Sequence, residues 1–236
     1  MTPHLAAIGF HATDPAALAR FWAGLLNWER VDAGAADPVT VLPPDGKGFG
    51  LRFTAGAAPK SRQNQAHFDL TSATPEAQRE TVARALALGA RHIDIGQTPE
   101  DGHIVLADPD GNEFCVIEAG NTFLADTGVI GAVACDGTRA VGYFWSEALG
   151  WPLVWDQDEE TAIQSPEGGT KLTWGGPPVA PKPDVNRLYF ELTLPADADE
   201  AAETARLTAL GARSGPDGVL LDPDGNEFRV LRTPTP

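Results

Sequence analysis

One seven-residue segment occurs twice in this chain, and this repetition constrains the fold more than any other feature. Residues 108–114 and residues 222–228 both read Asp-Pro-Asp-Gly-Asn-Glu-Phe. Proline fixes φ at about −65°, and the glycine or asparagine that follows accepts the positive φ of a tight turn. Apolar residues flank both copies, which indicates a turn between two strands. Two identical hairpins indicate a duplicated chain.

Other segments recur at a similar spacing. Phe21-Trp22 returns as Phe144-Trp145, 123 residues later, and residues 87–91 return as residues 209–213, 122 residues later. The offset between the two hairpins is only 114 residues, so the second copy is shorter between its last helix and its hairpin. Solenoid repeats span roughly 20 to 50 residues, so a period of this length indicates a domain duplication.

Charge and composition exclude several classes of function. The 236 residues carry a formal net charge of −16, so we expect no nucleic acid partner and no anionic membrane partner. Cys115 and Cys135 are the only cysteines, too few for a disulfide framework. We see no signal peptide and no apolar run of the roughly 20 residues that a membrane span needs. These features predict a soluble, cytoplasmic protein with two domains, residues 1–120 and 127–236.

The order of strand and helix signals repeats four times. In the first unit, a strand over residues 5–11 precedes a helix that Asp14 caps and Pro15 begins, and three strands follow. The second unit repeats this order from residue 66, with Thr74 as the helix cap. The third and fourth units begin near residues 129 and 187. The chain is therefore predicted to contain four βαβββ units, two in each domain.

The sequence resembles the vicinal oxygen chelate superfamily, which includes glyoxalase I, extradiol dioxygenases and bleomycin-resistance proteins. The resemblance implies an α+β fold of two tandem domains, in which two βαβββ modules form a curled mixed sheet, or cup, with the helices outside. It implies a small-molecule ligand or substrate in the cup. It leaves open whether cups form within or between domains, and whether the chain is a homodimer. Nearly the whole chain contributes, through residues 14–22, 67–70, 88–90, 108–114, 144–145, 149–151, 189–192, 210–212 and 222–228.

Enzymes of this superfamily hold a divalent metal through His or Glu on facing strands, and the resemblance gives the corresponding positions here. In the first domain they are Ala7, Gly50 or Arg52, His67 and Cys115. Only His67 matches, and Cys115 replaces the usual glutamate. A divalent metal held by His67 and Cys115 therefore stays open, and we do not expect glyoxalase I activity.

In the second domain the resemblance gives Ile130, Leu172 or Trp174, Tyr189 and Arg229, so no metal is expected there. Trp174 and Tyr189 would face the cup, which favours a flat apolar ligand. The residues expected to contact a ligand are His11, Arg52, His67, Cys115, Trp174, Tyr189 and Arg229.

Three functions compete at this stage. The first is a protein that binds a small organic molecule without the standard metal site. The second is a metal-dependent lyase, isomerase or dioxygenase, in which His67 binds metal or acts as general base and Cys115 or His11 assists. In the third, the second domain only stabilises the first. The sequence does not identify the ligand, and each residue has a structural alternative: His67 bonded within the sheet, Cys115 as an apolar filler, and Asp108 as a solvent-exposed turn residue.

Overall fold

The computed structural model describes residues 2–32, 38–57, 60–182 and 184–232, and in these ranges the chain forms two eight-stranded mixed sheets and four α-helices. The α+β prediction is confirmed. No helix in the described ranges is long and apolar enough to cross a membrane.

Sheet 1 combines strands from the first and the fourth βαβββ units. Its strand order is β14-β15-β16-β13-β1-β4-β3-β2, with β1 antiparallel to β13 at the centre. The bounds are β1 (His4–Ala12), β2 (Glu29–Asp32), β3 (Val39–Leu42), β4 (Gly50–Ala55), β13 (Leu188–Leu194), β14 (Arg213–Ser214), β15 (Leu220–Leu221) and β16 (Glu227–Arg232).

Sheet 2 combines the second and the third units in the order β10-β11-β12-β9-β5-β8-β7-β6, with β5 antiparallel to β9. Each cup therefore forms between the two halves of the chain, which answers the question that the sequence left open. The bounds are β5 (Ala66–Leu70), β6 (Arg91–His92), β7 (Ile104–Ala107), β8 (Glu113–Val116), β9 (Ile130–Cys135), β10 (Leu153–Gln157), β11 (Glu160–Gln164) and β12 (Lys171–Trp174).

The helices are α1 (Pro15–Leu26), α2 (Pro75–Ala87), α3 (Arg139–Leu149) and α4 (Glu200–Leu210). Their starts confirm the capping signals. The Asp14 carboxylate accepts a hydrogen bond from the Ala17 N–H at 2.9 Å, and the Thr74 hydroxyl accepts one from the Ala77 N–H at 3.1 Å. Each cap satisfies an N–H that has no partner inside the helix.

The helices lie between the two sheets and share one hydrophobic core with them. Trp22 of α1, whose helix packs on sheet 1, also has its ring centroid 5.2 Å from the rings of Phe68 and Phe114 in sheet 2. Trp145 of α3 makes the matching contacts with Phe190 and Phe228 of sheet 1, at 4.8 and 5.0 Å. The sheet faces that point away from the helices form two cups, which we call cup 1 and cup 2 after their sheets.

The repeated seven-residue segment forms both predicted hairpins, β7–β8 and β15–β16. Its first aspartate is a buried hydrogen-bond acceptor. Asp108 accepts bonds from Trp22 Nε1 at 3.2 Å, from the backbone N–H of Asp110 and Asn112, and from the Asn112 side chain. The interpretation of Asp108 as a solvent-exposed turn residue is wrong, because the residue is 0% exposed. The bond from Trp22 to Asp108 therefore connects α1 of the first unit to the β7–β8 hairpin of the second unit.

Burial raises the pKa of Asp108 to about 6, although the hydrogen bonds from Asn112 and Trp22 lower it. Asp222 accepts the equivalent bonds from Trp145 and Asn226, and burial raises its pKa to about 6 as well. Identical residues thus create the same buried environment in both halves of the chain.

Candidate functional site

Cup 1 brings together four of the residues predicted to contact a ligand: His11, Arg52, Tyr189 and Arg229. The Tyr189 ring lies directly over Gly9, where a Cβ atom would come within 2.3 Å of a ring carbon. His11 stacks on this ring at 4.7 Å between centroids, and the Arg229 guanidinium carbon lies 4.9 Å from its centroid. Tyr189 therefore fills the middle of cup 1.

An internal ion pair lies beside Tyr189 in that cup. Arg52 Nη1 lies 3.1 Å from a carboxylate oxygen of Glu191, which is only 2% exposed. The Tyr189 hydroxyl is buried without a well-formed hydrogen bond. Burial raises its pKa, Thr54 lowers the pKa and the charge of Glu191 raises it. Burial lowers the pKa of His11, and the charge of Arg229 lowers it further. In cup 1, Arg52 is thus paired with Glu191, whereas the Tyr189 hydroxyl is left without a hydrogen bond to the described residues.

Cup 2 holds His67, Asp69 and Cys115. His67 and Asp69 are two residues apart on β5 and point to the same face, and Asp69 lies opposite Cys115 of β8 in the parallel ladder. His67 Nε2 is 3.4 Å from Asp69 Oδ1. One nitrogen, one oxygen and one sulfur donor of these three residues all lie within 4.8 Å of one another. His11, which was expected to assist His67, lies in the other cup.

The acidic neighbour determines the charge state of His67. Burial lowers the pKa of the imidazole, but hydrogen bonds to Asp69 and Cys115 raise it by more, to about 10. The ring is two-thirds buried, since its side chain is 33% exposed. In the metal-free protein His67 is therefore a cation at neutral pH, held by the Asp69 carboxylate.

The walls of cup 2 are apolar and form a hydrophobic cluster separate from the main core. The segment that joins the two halves of the chain contributes Phe123 and Leu124 to it, so this segment covers part of the cup. A cavity of about 340 Å³ opens next to Leu124, between that segment and the end of β5. The cluster consists of Val105, Cys115, Ile117, Leu124 and Ala132, with Ile93 and Phe123 packed against it.

A single row of residues crosses the floor of cup 2. Asp69 lies opposite Cys115 on one side and opposite Ala132 on the other, and Ala132 lies opposite Lys171 of β12. The Lys171 ammonium donates a hydrogen bond to the Phe123 carbonyl and lies 4.4 Å from the centroid of the Phe123 ring. Burial lowers the pKa of Lys171.

The placement of Trp174 in a cup is wrong. Trp174 is 2% exposed and belongs to the main core, as does Leu172, so neither predicted position on β12 faces the cup. The ladder shows that Lys171 is the residue equivalent to Arg52: Arg52 lies opposite Gly9, and Lys171 lies opposite Ala132, which follows Gly9 by 123 residues. Lys171 directly precedes the predicted position Leu172, and a shift of one residue reverses the face of a strand.

The donor set of cup 2 fits a divalent transition metal. Imidazole, carboxylate and thiolate are ligands for Zn, Fe, Co or Ni, and three protein ligands leave coordination positions for a bound molecule. Asp69 adds the third ligand that His67 and Cys115 lacked in the sequence. The facing strands contribute Ala132 and Lys171 to the same row, so all three donors come from the second unit.

The comparisons with known proteins identify the family. A family model for a glyoxalase-like domain matches residues 7–117 and 131–231. The chain belongs to this family. With it the chain belongs to the vicinal oxygen chelate superfamily, as the sequence motifs indicated. No curated protein matches the chain.

Solved structures share the fold at low sequence identity. Glyoxalase I from Zea mays is 13% identical with a TM-score of 0.62, covering 97% of this chain and 92% of that one. A glyoxalase/bleomycin resistance protein/dioxygenase family enzyme from Burkholderia phytofirmans is 18% identical, with a TM-score of 0.38 over 48% of this chain and 96% of that one. A fosfomycin resistance protein from Listeria monocytogenes is 18% identical, with a TM-score of 0.39 over 50% of this chain and 90% of that one. The glyoxalase I likeness extends over nearly the whole chain, and at this identity it shows the fold alone.

Proposed function

We propose that cup 2 binds a divalent transition metal through His67, Asp69 and Cys115, with a small organic molecule beside it. The observation that carries this proposal is the convergence of three donor atoms of different side chains within 4.8 Å on one face of sheet 2. We place the main site in cup 2 rather than cup 1 because, in cup 1, Tyr189 lies over Gly9 and Arg52 pairs with Glu191.

The reaction class that fits this site is a metal-dependent lyase, isomerase or dioxygenase reaction. A bound metal supplies a Lewis acid that polarises a carbonyl or enediolate oxygen. The protein holds the donors rigidly on two adjacent strands, and His67 gives up its proton when it binds metal. The walls formed by Val105, Ile117 and Leu124 keep water away from the reacting group, which strengthens electrostatic interactions there.

Binding of an organic ligand without metal is the second candidate. The observation that favours it is the apolar wall of cup 2, which shares Ile117 and Leu124 with a cavity of about 340 Å³, within the usual size of a small-molecule site. In this case the imidazolium of His67 would face an acidic or strongly polar ligand group. Under either candidate, the partner is a small molecule and the site is cup 2.

Metal counting separates the two candidates. The purified protein is loaded separately with Mn, Fe, Co, Ni and Zn, excess ion is removed, and bound metal is measured by elemental analysis. We expect about one equivalent of at least one metal in the wild type. His67→Ala and Cys115→Ser should lose it, whereas the matched control His11→Ala in cup 1 should keep it. Retention of no metal by the wild type, or equal retention by His67→Ala, would remove the metal proposal and leave cup 2 as an organic-ligand site.

A further inference from the structure

We propose that Lys171 is the specificity residue of cup 2, and that it selects molecules with a carboxylate at the end opposite to the metal-binding group. This inference rests on the proposed function of cup 2 and names its ligand class: a small molecule with oxygen donors at one end and a carboxylate at the other.

The duplication of the chain provides an internal comparison for Lys171. Its counterpart in cup 1 is Arg52, and the counterpart of Glu191 in cup 2 is Asp69, 122 residues earlier. In cup 1 the cation and the carboxylate pair with each other at 3.1 Å. In cup 2 Asp69 lies with His67 instead. Within the described ranges Lys171 has no carboxylate partner, so the second cup keeps a cation that the first cup neutralises.

The position of Lys171 suits a ligand that spans the cup floor. Ala132 lies between Lys171 and Asp69 in the row across sheet 2, so the backbone positions of Lys171 and Asp69 are two strand spacings apart, roughly 10 Å. Ala132 is 1% exposed and belongs to the apolar cluster against which Phe123 packs. A ligand of a few carbon atoms that displaces Phe123 from this cluster can reach both ends.

The present partner of Lys171 is one that a carboxylate can replace. The ammonium donates to the Phe123 carbonyl and lies against the Phe123 ring, both on the segment that covers the cup. A carbonyl oxygen carries only a partial charge, and burial lowers the pKa of Lys171. A ligand carboxylate supplies a full charge and a charge-assisted hydrogen bond, which is roughly twice as strong as a neutral one.

Two hydroxamates of equal chain length test the proposal. Butyrohydroxamate and succinic monohydroxamate both chelate divalent metals, and only the second has a distal carboxylate. Their dissociation constants are measured by calorimetry on metal-loaded wild type, Lys171→Met and Lys171→Arg. Exposed Lys47→Met serves as the charge control. The wild type should bind succinic monohydroxamate about tenfold to a hundredfold more tightly than butyrohydroxamate. Lys171→Met should reduce this ratio to about one, Lys171→Arg should keep part of it, and Lys47→Met should keep all of it.

The outcomes separate this inference from the function on which it rests. Equal affinities in the wild type, or an unchanged ratio in a Lys171→Met protein that still holds metal, would overturn the role of Lys171 alone. A wild type that retains no metal and binds neither hydroxamate would overturn the metal site and the role of Lys171 together.

Discussion

The buried aspartate of the repeated turn makes the stability of this protein depend on pH in a defined direction. The pKa of Asp108 rises from 3.8 to about 6 on folding, because burial opposes its charge. A raised pKa means that the protonated form favours the fold. The stabilisation is complete below pH 3.8 and is lost as the pH rises through 6. One pKa unit corresponds to about 1.4 kcal/mol, so ionisation lowers the free energy of unfolding by about 3 kcal/mol.

Asp108→Asn removes this titration. An asparagine offers one acceptor oxygen to the four donors that point at the carboxylate, so the variant should be less stable at low pH by about 1–3 kcal/mol. Its stability should then change less with pH, and the gap to the wild type should close as Asp108 ionises. The gap should shrink by about 2 kcal/mol between about pH 4 and about pH 8, since part of the titration lies below this range.

Urea unfolding across that range measures the effect. Asp222→Asn is an internal replicate, because Asp222 has the same partners and the same raised pKa. Asp94→Asn, at an exposed position, controls for the change in net charge. Parallel curves of unfolding free energy for the wild type and Asp108→Asn would refute the reasoning, since they would mean that Asp108 stays ionised at no cost.

Three further changes test the packing of cup 1 and the pairing of the halves. Gly9→Ala should cost about 1–3 kcal/mol in chemical denaturation, because its methyl group would collide with the Tyr189 ring, and much less in a Tyr189→Leu background; an equal cost in both backgrounds would contradict this packing. Glu191→Gln should cost about 1–2 kcal/mol, because Arg52 loses its counterion but still reaches water, and a stability equal to the wild type would argue against the ion pair. Residues 1–120 alone should dimerise or aggregate in size-exclusion chromatography, because β1 and β5 become open edges, whereas a stable monomer would contradict the pairing between halves.

Local signals in the sequence predicted the helices and hairpins of this fold. They did not predict which βαβββ units pair to form each sheet. Asp14-Pro15 and Thr74-Pro75 determine where two helices begin, and the repeated turn determines two hairpins, since these features depend on neighbouring residues. Which unit pairs with which depends on contacts between residues more than a hundred positions apart. Both β1 and β5 carry the same alternating pattern, so the pattern alone could not distinguish pairing within a half from pairing between halves.

The site was predictable to the extent that strand alternation and family position agreed. Family position gave His67, and Asp69, two residues later on β5, points to the same face because side chains alternate along a strand. The resemblance to the family alone gave Trp174, and this prediction was wrong. The residues of β12 had been assigned one position out of register with their ladder partners. The same error hid Lys171, whose significance depends on its position opposite Ala132.

The duplicated halves of the chain have different residues at corresponding positions of the two cups. At corresponding positions, cup 1 has Tyr189, Glu191 and Arg229 where cup 2 has His67, Asp69 and Cys115. In the first set Glu191 pairs with Arg52, and the second set brings three potential donor atoms together beside an apolar wall. All three donors come from the second unit, so substitutions in the fourth unit could pack cup 1 without removing any donor of cup 2. The remaining residues of that row in cup 2, Ala132 and Lys171, come from the other half of the chain, so both halves contribute to this cup.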